Sequence, residues 1–294
     1  MITKNKPEVS IIGAGRLGGA LAIALSKKGY SIKSLVSRGG ETARQIAGLL
    51  KTKTQIFAAE RLSDLPASDI VFICTPDPQI GMTAERLAEN LNFTPETVFL
   101  HTSGSLSSEI LEKLKPAKIG SMHPLVSVSD AGIGAAKFAG AYFCVEGGEI
   151  AVQTAKQIVS DLGGSAFELE TRKKTLYHAA AVMAAGHMVA LFDVASELLS
   201  NCGLEKTEAH KILLPLTRSA VINMENQNTS QALTGTFARA DLETMLRHLA
   251  TLETEETALQ VYRELGLRSI ELAREQGADA QKLDEMLLTL TGKR

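Results

Sequence analysis

The sequence has few cysteines and almost no excess of either charge. Its 294 residues include only three cysteines, which lie far apart and form no paired spacing. This pattern excludes a disulfide framework and a zinc cluster. The 31 basic residues nearly balance the 33 acidic residues, which leaves a net charge of −2. Because no basic run stands out, nucleic acid and anionic membranes are not expected as partners.

Long hydrophobic runs, internal repeats and low-complexity tracts are also missing. No stretch suggests the roughly 20 apolar residues that a membrane-spanning helix needs. The first residues, MITKNKPEVSIIGAG, lead into a strand without a signal-peptide pattern. We therefore expect a cytoplasmic protein with no membrane partner. The chain length suits two domains or one large domain.

Glycine and proline are unevenly distributed along the chain. Residues 1–170 hold 18 of the 24 glycines and 7 of the 8 prolines. Short apolar runs alternate there with helix-forming stretches, which predicts an α/β domain with a doubly wound, mainly parallel sheet. Residues 171–294 consist of long Ala-, Leu- and Glu-rich segments, so we predict an all-helical second domain. The apolar runs lie at 8–12, 31–36, 69–74, 97–101, 118–122, 141–145 and 165–169.

A glycine-rich turn follows the first predicted strand. Its sequence, Gly13-Ala14-Gly15-Arg16-Leu17-Gly18, matches the dinucleotide-binding pattern GxGxxG and precedes a helical segment. Gly13 permits the tight turn, Gly15 lets a pyrophosphate approach the backbone, and Gly18 lets the helix pack closely on the strand. The positive end of the helix would face the phosphates. These features predict a Rossmann domain that binds a dinucleotide.

The residues after the second strand indicate which dinucleotide is bound. An NAD-preferring domain usually places a carboxylate there for the ribose 2′-hydroxyl, but this chain has Ser37 and Arg38. A hydroxyl and a guanidinium suit a 2′-phosphate, so we predict NADP(H). The alternative is that Arg38 is only a solvated loop residue. Thr75-Pro76-Asp77, at a later strand end, is expected to cover the nicotinamide ribose.

Two further strand ends carry candidates for chemistry. His123 can donate or accept the proton that accompanies hydride transfer at a carbonyl or imine carbon. It can equally be a structural histidine held by the turn at Pro124. Ser103 either orients substrate or caps the next helix. His101 is expected to be structural or to lie beside the cofactor.

The first long helix adds another polar group. Lys174 and His178 are four residues apart and share one helix face, where they could polarise a substrate oxygen. His187 falls about half a turn away at 3.6 residues per turn. It would reach that face only if Gly186 distorted the helix, so we expect it to serve packing or subunit contact.

The segment 234–241 has two interpretations. In one, Asp241 caps the following helix and His248 lies at the surface. In the other, Thr234 and Arg239 bind a substrate carboxylate, because an arginine can hold it with two hydrogen bonds. Both interpretations stand on the sequence alone.

Taken together, these motifs resemble the Rossmann-like bacterial proteins that carry the C-terminal domain of unknown function 2520. This group is related to the β-hydroxyacid dehydrogenases and the deazaflavin-dependent NADP oxidoreductases. The resemblance covers nearly the whole chain and rests on GAGRLGGALAIAL, HTSG followed by SMHPL, LYHAAAVMAAGHMVAL, LLPLTRSAVINM and ALTG…ARADLETMLRHL. The spacing of HTSGS and SMHPL is also similar to that of prephenate dehydrogenases. This similarity implies that Ser103 and His123 contact substrate.

The chain departs from these relatives at several positions. His187, Thr236 and Ala240 stand where relatives usually have Asn, Pro and Gly. Lys174 and His178 are similar to the Lys and Asn, also four residues apart, of β-hydroxyacid dehydrogenases.

These observations favour an NADP(H)-dependent oxidoreductase. Its substrate would be a small carboxylate-bearing hydroxy, oxo or imino compound, and the protein would position that substrate and manage its proton. The helical domain, rich in Ala and Leu, is expected to form a homodimer. Two alternatives are a non-catalytic NADP(H)-binding sensor or scaffold and an imine reductase like pyrroline-carboxylate reductases. No metal site is predicted.

Overall fold

The computed structural model describes residues 6–292. The chain forms two compact units that divide between Met183 and Ala184. Eight strands in the first unit make one sheet in the order β3-β2-β1-β4-β5-β6-β7-β8. The strands are β1 (Glu8–Ile12), β2 (Ser31–Ser37), β3 (Gln55–Ala58), β4 (Ile70–Ile73), β5 (Val98–His101), β6 (Lys118–Pro124), β7 (Tyr142–Gly147) and β8 (Ser165–Glu168).

The central strands β4 and β5 are buried along their whole length. Their sequences, IVFI and VFLH, are continuous apolar runs, which are typical of parallel strands covered on both faces. Neighbouring residues of one strand enter different clusters of buried side chains. Ile11 and Phe72 belong to one cluster, whereas Ile12 and Ile73 belong to the other. Helices therefore cover both faces of the sheet.

The strand order places a crevice at one edge of this sheet. Every strand pair is parallel except β6 and β7, which are antiparallel. The chain winds from β1 outward to β3 on one side and returns to β4 on the other. Ligands bind outside the carboxyl ends of parallel strands at such a switch point. The doubly wound, mainly parallel fold that the sequence predicts is confirmed.

One strand is absent from the sequence prediction. β3 lies at the edge of the sheet and has the sequence QIFA, in which only Phe57 is buried. An edge strand with a single buried residue carries no apolar run that would reveal it.

Six helices accompany the sheet among the described residues of the first unit. The sequence places a domain boundary near Glu170, but in the structure the helix that begins at Lys174 packs with the sheet. Short 3₁₀ segments lie at Ala59–Asp64, Ser108–Leu114, Ala135–Phe138 and Thr171–Lys173. The helices are α1 (Arg16–Lys27), α2 (Glu41–Ala47), α3 (Asp77–Ala88), α4 (Ala131–Gly134), α5 (Glu149–Leu162) and α6 (Lys174–Val182).

The second unit is helical throughout its described residues. Met245, Ile270 and Met286 are among the buried side chains that form its core. Residues 241–275 belong to one of the Leu- and Glu-rich segments but do not form a single helix, because a 3₁₀ turn lies at Leu252–Thr254 and Glu255 then leaves the helical conformation. The helices are α7 (Met188–Asn201), α8 (Lys206–Asn226), α9 (Thr229–Ala232), α10 (Leu242–Thr251), α11 (Glu256–Glu275) and α12 (Ala280–Thr291).

The segment Thr171–Asn201 is helical over 31 residues and contains an 18-residue stretch with a mean hydropathy of 1.5. By length and composition alone it could cross a membrane, so the expectation that no segment could do so is wrong by these two criteria. A π-helical turn at Met183–His187 interrupts it. This turn contains Gly186, where a distortion of the helix would be needed to bring His187 to the face of Lys174 and His178. His187 itself is exposed.

Candidate functional site

The glycine-rich turn packs against the end of β4. Gly13 has φ +95°, and a Cβ atom there would lie 2.7 Å from the carbonyl carbon of Cys74. A Cβ at Gly18 would lie 2.2 Å from the carbonyl oxygen of Gly13. No atom lies within 4 Å of the corresponding position at Gly15, where the turn faces open space. The turn is thus tightly packed behind and open in front, as an approaching phosphate requires.

The first turn of α1 has backbone N–H groups available at that open side. Gly15 is its N-cap and provides no side-chain hydrogen bond, and no acidic residue lies in the first turn. The positive end of the helix dipole is therefore not neutralised by the protein's own groups. An anion is favoured at this position.

A cleft of about 570 Å³ opens in front of the turn. Among the predicted cofactor residues, Gly13, Ala14, Gly15, Ser37, Arg38, Thr75 and Pro76 line it. Arg16, Leu17 and Gly18 instead form the first turn of α1, and Asp77 begins α3. Sequence reasoning missed the α3 side of the cleft, where Gln79, Met82, Thr83 and Arg86 lie. Their spacing of three or four residues is the pattern of one helix face.

The charged side chains that line the cleft are all positive. Arg38 and Arg86 line it, and none of its lining residues is a carboxylate. The hydroxyl of Ser37 accepts a hydrogen bond from the backbone N–H of Ala43 at 3.2 Å, which fixes the loop between β2 and α2. The lining residues therefore favour a negatively charged ligand such as a dinucleotide.

Asp77 and Ser103 join the cleft to the next strand end. The hydroxyls of Ser103 and Ser105 each donate to Oδ2 of Asp77 at 2.8 Å. Ser103 Oγ also accepts from the backbone N–H groups of Ser105 and Leu106, at 3.1 and 3.0 Å. Ser103 is buried and closes the turn after β5. Its hydroxyl is thus committed to this turn.

His123 and His178 both approach the next residue, Gly104. The two imidazole centroids are 5.6 Å apart. A Cβ atom on Gly104 would lie 2.5 Å from Nδ1 of His178 and 2.7 Å from Cε1 of His123. Only glycine lets both rings approach this backbone. Nδ1 of His178 is buried and has no hydrogen-bond partner among the described residues.

Tyr177 completes this group of aromatic rings. Its hydroxyl lies 2.6 Å from Nδ1 of His123. Sequence reasoning did not single it out, although its place three residues after Lys174 is a signal for the same helix face. We call His123, Tyr177 and His178 the imidazole cluster.

Burial keeps two members of the cluster, His123 and Tyr177, uncharged. Burial, together with the nearby His178 and Lys174, lowers the pKa of His123 to about 4. Burial raises the pKa of Tyr177 above its usual value. At neutral pH, His123 is therefore a neutral imidazole and Tyr177 a neutral phenol. Such a pair can donate and accept hydrogen bonds to a carbonyl or imine group.

Lys174 does not face the crevice. Its side chain is 1% exposed, and its ammonium donates to Ser121 Oγ at 2.8 Å and to Glu146 Oε1 at 3.1 Å. The sequence predicts that Lys174 polarises a substrate oxygen. In the structure the buried charge instead requires a counter-charge, and Glu146 provides it. Glu146 is 28 residues away in sequence, so no local pattern reveals the pair.

His101 is fully buried beneath the same strand end. Its Nδ1 accepts a hydrogen bond from the backbone N–H of Ser103 at 3.2 Å. Burial, followed by the charge of Lys174, lowers the pKa of His101 to about 3. The side chain acts as a neutral support for the turn at Ser103.

In the second unit, Asp241 caps α10. Its Oδ1 accepts from the backbone N–H of Thr244 at 3.0 Å. His248 is exposed, and its Nδ1 lies 2.9 Å from the hydroxyl of Tyr262. Ala240 has φ +50°, a left-handed conformation that favours glycine. The alternative role in carboxylate binding for Thr234 and Arg239 stays a prediction.

Comparison with known proteins places these features in a family. A Rossmann-like domain model matches residues 1–125, and a model of the domain of unknown function 2520 matches residues 141–269. No curated protein sequence matches the chain.

Several solved structures share the architecture. A proposed NADP oxidoreductase from Bacteroides fragilis is 22% identical, with 89% of this chain and 97% of that chain covered and a TM-score of 0.73. A Thermotoga maritima protein is 25% identical, with coverages of 91% and 99% and a TM-score of 0.72. The 1-pyrroline-5-carboxylate reductase of Streptococcus pyogenes is 15% identical, with coverages of 90% and 99% and a TM-score of 0.63. The chain thus belongs to the Rossmann-like proteins that carry a C-terminal domain of unknown function 2520.

Proposed function

We propose that this protein is an NADP(H)-dependent oxidoreductase acting on a small substrate with a carbon–oxygen or carbon–nitrogen bond. One observation carries the proposal. A cleft with two arginines and no carboxylate is linked, through Asp77, Ser103 and Gly104, to the imidazole cluster. Cofactor-binding groups and proton-handling groups thereby share one sheet edge.

The cofactor would be held by groups already in place. The N–H groups at the start of α1 would bind the pyrophosphate, and Ser37 and Arg38 would bind the 2′-phosphate. Thr75 and Pro76 would cover the nicotinamide ribose. When bound, NADP(H) supplies or accepts the hydride.

His123 would manage the proton. With Nδ1 held by Tyr177, the imidazole presents Nε2 beside Gly104. When Tyr177 donates to Nδ1, Nε2 carries the hydrogen and donates a hydrogen bond to the oxygen or nitrogen that is reduced. Oxidation of a hydroxyl or amine would use the other tautomer, in which Nδ1–H donates to the Tyr177 oxygen and Nε2 accepts the proton. His178 would orient the same substrate atom. This assignment moves the polarising role from Lys174 to the imidazole cluster.

We propose a carboxylate-bearing hydroxy, oxo or imino compound as substrate. Imine reduction has specific support among the structural neighbours, which include pyrroline-carboxylate reductases and a reductive aminase from Aspergillus terreus. The alternative function is that of a non-catalytic NADP(H)-binding sensor. Such a sensor would bind the cofactor in the same cleft but would give the imidazole cluster no catalytic role.

One experiment separates these functions. Purified protein is incubated with NADPH and a panel of 2-oxo acids and cyclic imino acids, and absorbance at the nicotinamide band is followed. Oxidation that a His123→Ala variant loses supports the enzyme, and the accepted substrates distinguish oxo acids from imines. Tight NADPH binding without oxidation of any panel member supports the sensor.

We also propose a cytoplasmic homodimer formed through the helical unit. α7 and α8 expose large apolar side chains, such as Val189 at 66% and Leu216 at 67%. Such surface is costly in water unless another surface covers it. Light scattering of the detergent-free protein should give the mass of two chains, whereas a requirement for detergent would favour a membrane as the covering surface.

A further inference from the structure

Glu146 and Lys174 form a nearly fully buried ion pair close to the imidazole cluster. Their side chains are 4% and 1% exposed, and Nζ lies 3.1 Å from Oε1. The proposed function gives Glu146 no role. Three further bonds of 2.8 Å reach its carboxylate, from the backbone N–H and hydroxyl of Ser108 and from the hydroxyl of Ser121.

Stability alone is a weak reason for such a pair. Removing two charges from water costs about as much as their attraction returns, and well-packed apolar side chains often serve as well. A fully hydrogen-bonded ion pair does, however, hold the elements that carry its two residues in a fixed relative position.

The pair lies where β6, β7 and α6 meet. Glu146 is directly opposite Ser121 in the antiparallel ladder of β6 and β7. Lys174, in the first turn of α6, donates to the same serine at 2.8 Å. One hydroxyl and one carboxylate thus tie the start of α6 to two neighbouring strands.

A second contact between α6 and β6, that of Tyr177 with His123, lies further along both elements. Ser121 and His123 are two residues apart on β6 and point to the same face. Lys174 and Tyr177 are three residues apart on α6 and share a helix face. The bond between Lys174 and Ser121 therefore sets the register in which Tyr177 meets His123.

We propose that Glu146 is a positioning residue that holds the Lys174 ammonium on Ser121 and thereby fixes α6 at the register in which Tyr177 binds His123. The inference rests on the proposed function only in taking His123 as the group presented to substrate. The charged and titratable groups that act on His123 are His178, Lys174 and Asp77. Lys174 both contacts Ser121 and acts electrostatically on His123, so its position affects the geometry of α6 and the electrostatic environment of His123 together.

The test uses the full chain without cofactor or substrate. The ¹⁵N resonance of His123 Nδ1 is measured by NMR in the wild type, in Tyr177→Phe and in the double variant Glu146→Gln/Lys174→Met. The double variant leaves no unpaired buried charge, so stability loss from that cause is avoided. The Tyr177→Phe protein gives the resonance of Nδ1 without its hydrogen bond.

A milder variant keeps the test decisive if the double variant does not fold. Ser121→Ala removes one hydroxyl from the link between helix and strand. Ser34→Ala is its matched control, because Ser34 is a buried strand serine whose hydroxyl has no partner among the described residues.

We expect the double variant to lose the hydrogen-bonded resonance and to coincide with Tyr177→Phe. Ser121→Ala should move in the same direction, and Ser34→Ala should match the wild type. The proposal is overturned if Ser121→Ala and a folded double variant both keep the wild-type resonance. If the double variant is unfolded, Ser121→Ala decides alone. Because no turnover is measured, failure here would not bear on whether the protein is an oxidoreductase.

Discussion

The hydroxyl of Tyr177 lies 2.6 Å from Nδ1 of His123, which joins α6 to β6 across 54 residues of sequence. This bond decides which nitrogen of the imidazole is left for a substrate. Because burial keeps Tyr177 protonated, the phenol can donate a hydrogen bond to Nδ1, and the imidazole hydrogen is then on Nε2. The tautomer of His123 is thus controlled from the helix.

Removing this hydroxyl should impair turnover selectively. We expect Tyr177→Phe to lower kcat about 10- to 100-fold, because the imidazole loses the partner that orients it. The dissociation constant for NADPH should stay at the wild-type value. Steady-state kinetics with the substrate found in the panel, together with calorimetry for NADPH, measures both. Tyr142→Phe, at an exposed tyrosine, is the control. Equal kcat in both variants would contradict the role of Tyr177.

Arg38 should determine which nicotinamide cofactor is bound. We expect Arg38→Ala to weaken NADPH binding about 10- to 100-fold, the loss typical of a charge-assisted hydrogen bond to phosphate, and to leave NADH binding unchanged. Calorimetric titration with both cofactors measures this difference.

Two further arginines make the comparison specific. Arg86→Ala should weaken NADPH and NADH alike, because Arg86 lines the cleft on the α3 side. Arg61→Ala should affect neither, because Arg61 is an exposed residue paired with Asp64. If Arg38→Ala reduced NADH affinity as strongly as NADPH affinity, Arg38 would not be the 2′-phosphate contact.

Substituting Gly104 should disturb both imidazoles at once. A methyl group there would lie 2.5 Å from His178 and 2.7 Å from His123, so one ring must move. We expect Gly104→Ala to lower the free energy of unfolding by about 1–3 kcal/mol, the usual cost of overpacking. Urea denaturation measures it, with Gly48→Ala as control because its nearest neighbours lie at 3.5 Å or more. A stability equal to that of the wild type would mean that the rings relax freely.

The buried histidines should make the first unit sensitive to acid. The pKa of His101 is lowered to about 3 and that of His123 to about 4, whereas an unfolded histidine titrates near 6.5. Between pH 6.5 and 4 the unfolded chain therefore binds more protons than the folded chain. Stability should accordingly fall as the pH decreases through this range and be fully present above pH 6.5.

Denaturant midpoints at pH 7 and pH 4.5 test this prediction. His123→Asn should reduce the difference between the two midpoints, while His248→Asn, at an exposed site, should leave it unchanged. If the denaturant midpoint of the wild type did not depend on pH, the lowered pKa values of His101 and His123 would be contradicted.

Sequence reasoning works where a function leaves a local pattern. The turn at Gly13, the strand ends and the pair Ser37 and Arg38 are all encoded within a few neighbouring residues. Their positions in the cleft follow once the sheet is known to be parallel. The edge strand β3 cannot be predicted in this way, because its single buried residue, Phe57, produces no periodic pattern of apolar residues.

The remaining features depend on contacts between distant segments. Lys174 and His178 share a helix face as expected, but the sequence cannot show that Glu146 faces the lysine from β7. The reversed direction of β7 creates this encounter, because it aligns Glu146 with Ser121. Arg86 and Tyr177 could not be predicted for the same reason. Each is a single polar residue in a helical segment, and its role depends on contacts with residues that are distant in sequence.

The reversal of β7 and β8 has a further consequence for how the chain can vary. Having turned back, it enters α6 through the short connection 169–173, and the helix then rises along β6 toward the open edge. Lys174 meets the strand deep in the protein and Tyr177 meets it nearer the rim. Inserting or deleting one residue between Lys174 and Tyr177 would turn one side chain about 100° away from the other. One of the two contacts would then be lost, so the spacing of Lys174 and Tyr177 along the helix should be as strictly constrained as their identities.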